Sequence, residues 1–300
     1  DGIRDVERSR GLGDVYKRQV PDPCDGSSWD KAFDKLQDAL AVALPCDEIW
    51  VADGTYKPVE GPDPNLTFQL VNGVGVYGGF EGMEQYRYEC NWAAPAKETI
   101  LSGDIQGDKD SYYVVTSGAD VEVACLDGFT VKDGSMANVY CEEGSPVIQH
   151  NKITSSEVGI HCNGTAQPII KNNWIYRNDY GVYFEQAADS AIVRNNTIVY
   201  NDEVGIFFES CIKPLVTNCI LWGNGDESLE KQLNWDYTTV DYLTKYSCIQ
   251  DSNDVTPQPP YYTINTDPCF AYDDPNDYHL VPDSPCIDSG DPAGDYTCLL

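Results

Sequence analysis

Four near-copies of one short phrase cross the middle of the chain: PVIQHNKI from Pro146, PIIKNNWI from Pro168, AIVRNNTI from Ala191 and PLVTNCIL from Pro214. A phrase that returns at a fixed interval constrains a fold more than any local propensity does, because each copy is one structural unit whose apolar face can be buried only against its neighbours. The register holds position by position. Ile153, Ile175, Ile198 and Leu221, the last apolar residues of the four phrases, are 22, 23 and 23 residues apart. Val131, 22 residues before Ile153, marks a degenerate rung ahead of the clear ones. A second echo follows the phrases, VGIHCN from Val158, YGVYFE from Tyr180 and VGIFFE from Val204, and before them, at the same relative place, lies NVYCE from Asn138. Each repeat therefore holds two or three short runs rich in β-branched and aromatic residues, parted by Asn, Gly and Asp, and no run is long enough for a helix. Such strands, recurring at a rung of about 22 residues, stack in parallel on their own copies about 4.8 Å apart. The expected fold is all-β, a parallel β-helix solenoid. A leucine-rich repeat has an overlapping period, but its rung reads LxxLxLxxN with a helical return. Return segments such as SSEVGIHCNGTAQ lack the apolar spacing of three and four that such a helix needs.

Charge narrows the range of partners. The chain carries 49 Asp and Glu against 19 Lys and Arg, a net −30, and without residues 1–19 the balance becomes −31. Such a surface repels phosphate backbones and anionic lipid, so nucleic acid is not an expected partner, and no run of about 18 apolar residues offers a membrane span. Carboxylates and amide carbonyls are hard oxygen ligands that would tolerate Ca²⁺, but no cofactor is required by the pattern. With three histidines and no CxxC pair, a zinc site is not expected.

Twelve cysteines favour an oxidising compartment and some disulfides. Cys125, Cys141, Cys162 and Cys219 fall in columns read as inward-facing, where Cys acts as a small apolar filler. Cys141 and Cys162 would also face each other across adjacent rungs, within reach of a bridge. Disulfides are expected rather at the irregular ends, such as Cys24 to Cys46 or Cys248 to Cys269.

Residues 1–19, ending GLGDVYKRQ, lack any apolar period and resemble the translation of a transposase adapter used in sequencing libraries; Cys298, Leu299 and Leu300 resemble the same adapter read on the other strand. Both ends are expected to be scars, the first without structure, which would place the true termini outside this chain. Residues 20–45 read as an N-terminal cap. From Ser27 the stretch SSWDKAFDKLQDALAVAL places Trp29, Phe33, Leu36 and Leu40 on one face of a single helix, with Ser27 and Asp30 at capping-box spacing. That helix would lie across the open edge of the first rung. Residues 46–224 read as the coil and residues 225–297 as divergent closing rungs and a far cap. Residues 81–97, charged and aromatic (Tyr86, Tyr88, Trp92), form the kind of loop that carries function on a rigid scaffold.

The phrases WDKAFDKLQDAL, DEIWVADGTYKP, VYGGFEG, TILSGD, LDGFTV, the four repeated rungs and the closing DYHLVPDSPCIDSGD, in this order, resemble bacterial extracellular proteins with right-handed parallel β-helix repeats, of the pectin-lyase-like superfamily. The resemblance covers residues 24–291. It implies a right-handed coil, a secreted or cell-surface location and a role with polysaccharide. Members of that group continue past the closing phrase into a final rung or an anchoring module, so the manner of attachment stays open. The motif sets of the family's polygalacturonases and pectate lyases are not present as sets, and no trio of converging Asp is in view. Lys171 and Arg194 align across adjacent rungs, and Asp179 with Asp202 near corresponding turns, which alone does not make an active site.

If Ile160, Val182 and Ile206 point inward, their neighbours point out. One outward column is then Tyr140, His161, Tyr183 and Phe207; a second, two positions on, is Glu142, Asn163, Glu185 and Glu209. Stacked rings beside carboxylates would suit a sugar polymer, whose apolar ring faces sit on aromatics while its hydroxyls meet acidic groups. The same columns also serve a purely structural end, by steadying neighbouring strands and solvating an edge. Asn151, Asn173 and Asn196 form a column read as structural, with amides bonding along the coil at a bend. His150, in the column of Asn172, Asn195 and Asn218, reads as a turn residue rather than a base. The favoured function is non-catalytic polysaccharide binding, with a polysaccharide lyase or hydrolase as the alternative and a passive adhesin stalk as the third.

Overall fold

The computed structural model describes residues 9–12, 25–58, 61, 63–92, 98–106, 109–186, 191–211, 214–225, 229–236, 243–250, 262–271 and 277–291. Each clear repeat folds as one turn of coil with three strands, as in Val147–Gln149, Lys152–Thr154 and Val158–Asn163. Like strands of successive turns pair in parallel into sheets of nine, eight and seven strands, called here the first, second and third sheets in that order. Repeat spacing becomes register: Ile153 lies opposite Ile175, Ile175 opposite Ile198 and Ile198 opposite Leu221.

In the three-residue strands of the first sheet only the middle side chain turns inward. Ile148, Ile170, Val193 and Val216 are therefore sealed, and so are the facing Ile153, Ile175, Ile198 and Leu221. The third sheet adds Ile160, Val182 and Ile206, with Cys162, Phe184 and Phe208 two places on, all 0–1% exposed. Burial of each such aliphatic or aromatic side chain is worth about 1.5–3 kcal/mol, so every turn contributes its own share of core. The glycine in each VGI or YGV echo has a steric cause: a Cβ on Gly159 would lie 2.5 Å from the Gly181 carbonyl oxygen of the next turn. Only glycine lets the third sheet begin that close.

Two ladders of buried amides hold the bends. Asn151 N–H donates to Asn173 Oδ1 and Asn173 N–H to Asn196 Oδ1, each at 3.0 Å, while Asn173 Nδ2 reaches back to the Ile148 carbonyl at 2.9 Å. Cys219 follows in the same column, its backbone N–H donating to Ser247 Oγ at 3.2 Å. The second ladder, absent from the sequence reading, runs through Asn178, Asn201 and Asn224, with N–H to Oδ1 distances of 3.2 and 3.0 Å, and ends on Gln232. It holds the bend between the second and third sheets.

Several expectations need correction. The single N-terminal helix is two pieces: a 3₁₀ turn at Trp29–Lys31 and α1 at Leu36–Val42, with Ala32 and Lys35 extended between them. Trp29 leaves the helix face to pack on Trp50 and Phe80, with ring centroids at 6.4 and 5.8 Å, and donates its indole N–H to the Glu84 carbonyl. Ser27 bonds Asp25 rather than forming a capping box with Asp30. α1 buries Leu36, Ala39 and Leu40 against the opening turn. Within residues 1–19, expected to be without structure, Ser9–Leu12 forms a strand paired in parallel with Glu48–Ala52. Cys125 is not an inward filler: only Leu126 of Cys125–Asp127 faces the core, so Cys125 lies on the outer side. Burial there pushes its thiol up to about 12. Cys141 and Cys162 do face inward, opposite each other and as free thiols. Cys248 lies within hydrogen-bond reach of Cys286 rather than bridging Cys269, and Cys24 is outside the described residues.

The coil continues past residue 224, through Leu233–Trp235, Leu243–Lys245 and Cys248–Ile249, each paired with the preceding turn. The closing segment then folds back along the outside of the second sheet. There Tyr278 packs on Trp174, Tyr176, Tyr200 and Phe270, and Asp291 N–H donates to Asn218 Oδ1. No helix among the described residues is long and apolar enough to cross a membrane.

Candidate functional site

The outer face of the third sheet gathers all eight residues singled out from the sequence. Tyr140, His161, Tyr183 and Phe207 lie opposite one another in successive turns, and so do Glu142, Asn163, Glu185 and Glu209. The rings touch without a gap. Tyr140 meets His161 edge-on at 5.2 Å, His161 stacks on Tyr183 at 5.0 Å and 6°, and Tyr183 meets Phe207 edge-on at 5.3 Å. Two rings missed in the sequence extend the file. Tyr113 stacks on Tyr140 at 4.3 Å although its register partner is Ala137, and Tyr180 lies against Tyr183 and Phe207. Tyr113 meets Tyr140 and Tyr180 meets Phe207 diagonally, and Tyr180 meets Tyr183 along its own strand, so column-by-column alignment could not find them.

The second file is bound to the first. Asn163 Nδ2 donates to the Tyr140 hydroxyl at 3.3 Å, His161 Nε2 meets Glu185 Oε2 at 3.1 Å, and the Tyr183 hydroxyl donates to Glu209. Tyr140, His161 and Tyr183 thus each engage the amide or carboxylate one turn further on. The environment sets the protonation states. Burial lowers the His161 pKa from its ordinary 6.5, with Glu185 opposing, and burial together with Glu209 raises that of the Tyr183 phenol. The ring file holds a neutral imidazole and protonated phenols, which suits contact with an uncharged surface better than proton transfer.

A second cluster sits on the bend between the first and second sheets. His150, Asn172, Asn195 and Asn218 all take left-handed backbone, φ between 52° and 56°, as turn residues would. The His150 ring is also engaged: Nδ1 lies 3.0 Å from Asp127 Oδ1, Nε2 lies 3.3 Å from Asn172 Nδ2, and Trp92 packs on it at 5.6 Å. Trp92 brings the loop from residue 81 down onto this bend, while Tyr86 and Tyr88 stack on each other at 5.2 Å at its exposed tip. Asp179 and Asp202 come together at the opposite bend, where burial and then Asp202 and Glu203 raise the Asp179 pKa. No three His, Cys, Asp or Glu side chains converge as a metal would need, among the described residues.

A cavity of about 590 Å³ opens beside Asn195, Asn218 and Tyr246, walled by Cys248, Cys286 and Asp288 of the closing turns. It lies away from the ring file.

Known proteins bear on the coil. The model of the right handed beta helix region matches residues 101–242. No curated protein matches the chain. Among solved structures, the A-module of the Azotobacter vinelandii mannuronan C-5 epimerase is similar at 12% identity over 71% of this chain and 82% of that one, with a TM-score of 0.28. At that superposition the likeness bears on neither the site nor its chemistry. The coil is right-handed, and the resemblance to pectin-lyase-like β-helix proteins stands.

Proposed function

Starting from a right-handed β-helix of the pectin-lyase-like type, we propose that this protein is a secreted or cell-surface binder of polysaccharide, without catalysis of its own, and that the ligand lies along the ring file of the third sheet. The observation that carries this reading is continuity: from Tyr113 to Phe207 each ring meets the next at 4.3–5.3 Å, with none sealed and none missing. A file of half-buried rings on a rigid coil offers an extended, preformed apolar strip, which a stiff polymer could follow with little ordering cost. Glu142 and Asn163, at the same edge, supply acceptors and a donor for hydroxyls.

Glycan-array binding is expected for the intact chain and is expected to be lost in the double variant Tyr183→Ala, Phe207→Ala. Binding that survives both changes removes the ring file from the site. A stalk is the reading left if no glycan binds at all, and its support is that Tyr140, His161 and Tyr183 already bond within the two files. Release of unsaturated products from polygalacturonate, followed by absorbance, would replace the non-catalytic reading with a lyase. Thiol counting under denaturing conditions tests export: a fully reduced chain speaks against it.

A further inference from the structure

The closing segment rests on the last turns of the coil but keeps most of its backbone bonds to itself. Ala271, Val281, Ser284 and Ile287 give their N–H groups to carbonyls of the same segment, and Phe270 bridges Leu280 in a hairpin of its own. Ile264 bridges Cys248, and Asp291 N–H donates to Asn218 Oδ1, so the backbone ties to the coil lie near the two ends of the segment. The last turn of a solenoid has a neighbour on one side only, and a cap held mainly by side-chain packing opens locally at little cost.

Two thiols meet at that weak point. Cys248 lies opposite Ile220 in the last paired turn of the second sheet, and Cys286 of the closing segment lies within hydrogen-bond reach of it. Both line the cavity of about 590 Å³, Cys248 buried and Cys286 half-buried. Their chemistry is asymmetric. The bond from Cys248 holds the Cys286 thiol below its ordinary value, while the same bond and burial push Cys248 up. Cys286 is therefore the better nucleophile, and it is also the more open of the two. Cys141 and Cys162 offer the opposite case: they too face each other, but both are 0% exposed inside the coil, beyond the reach of any reagent while the chain is folded. Cys269 stays within its own turn, its Sγ 3.3 Å from the Asp267 carbonyl.

We propose that Cys248 and Cys286 are a disulfide-forming site, oxidised by a small disulfide that enters through the cavity, and that the bond fastens the closing segment to the end of the coil. The Cys286 thiolate attacks one sulfur of the oxidant and releases its first thiolate; Cys248 then attacks the Cys286 sulfur and releases the second. Two electrons pass to the oxidant, and the two protons that the cysteines lose go to the two thiols it becomes. The new bond closes a loop from residue 248 to residue 286 and removes open arrangements of the segment between them. The secreted or surface location proposed above is where such an oxidant would be met, but the bond itself needs neither export nor a ligand on the ring file.

The whole chain, first reduced and then freed of reductant, is incubated with glutathione disulfide; remaining thiols are blocked and the chain is digested without reductant. Mass spectrometry should find a cross-linked peptide pair joining Cys248 to Cys286, lost in Cys286→Ser and kept in Cys269→Ser. Oxidation should also slow proteolytic cleavage within residues 262–291 by about tenfold in the parent and leave Cys286→Ser unchanged. Thermal melting confirms that each variant is folded, and the peptide map of the parent needs no variant. The proposal is overturned if Cys248 is joined to Cys269 instead, if Cys248 and Cys286 remain free or end as separate glutathione adducts, or if the bond forms and cleavage of the closing segment is no slower. Glycan binding is read in none of these steps, so failure of the ring file as a site leaves the outcome standing.

Discussion

On the third sheet, Tyr140, His161 and Tyr183 each give their polar atom to the file beside them, whereas on the first sheet Lys171, Arg194 and Lys245 give theirs to no described residue. The same geometry produced both. A solenoid sets every side chain above its counterpart one turn away, whatever the chemistry. Rings profit from that translation, since offset and edge-on pairs attract, while like charges gain nothing from it. A self-satisfied file has a structural reason to exist, and the file of cations, Lys171 opposite Arg194 and then Thr217 and Lys245, lacks one.

The largest effect expected from this contrast is on the ring side. Tyr183→Ala removes contacts with His161, Phe207 and Tyr180 along with the bond to Glu209, and should cost about 2 kcal/mol in urea unfolding. A loss below about 0.5 kcal/mol would mean that the rings merely coincide. Next comes a change of opposite sign. Lys171→Met keeps the buried stem and deletes the charge, so the chain should gain up to about 1 kcal/mol. Destabilisation instead would reveal an internal partner for the ammonium and break the comparison.

The smallest effect concerns pH. Because burial holds the folded pKa of His161 below 6.5, the folded chain binds that proton less readily than the unfolded one. The stability it contributes is complete above the unfolded value and is lost as pH falls through the lower folded value. His161→Gln should abolish this part of the slope. Parent and variant curves that run parallel between pH 8 and 5 would place the imidazole in water rather than under its neighbours.

The coil was legible because its signal is translational: a 22- or 23-residue step in sequence is a one-turn step in space, so Ile153, Ile175, Ile198 and Leu221 announce their own pairing. The ring file followed from strand alternation around Ile160, Val182 and Ile206. What escaped has other causes. Local spacing places Trp29 on a helix face, while the Trp50 and Phe80 rings that draw it away are far along the chain. Cys286 lies in the closing segment, whose return to Cys248 no period predicts. The ladder of Asn178, Asn201 and Asn224 repeats at 23-residue spacing, but its flanking residues differ more from turn to turn than those of the repeated phrase and mask the period.

The amide ladders also limit how such a chain can change length. Each Asn bonds the turn on either side of it, so a gain or loss of one or two residues within a strand would misalign two ladders, three sheets and both outer files at once. Excision or duplication of a whole turn leaves every bond with an equivalent partner. Growth of this molecule is thus quantised, and any ligand it measures along its length would be measured in whole turns.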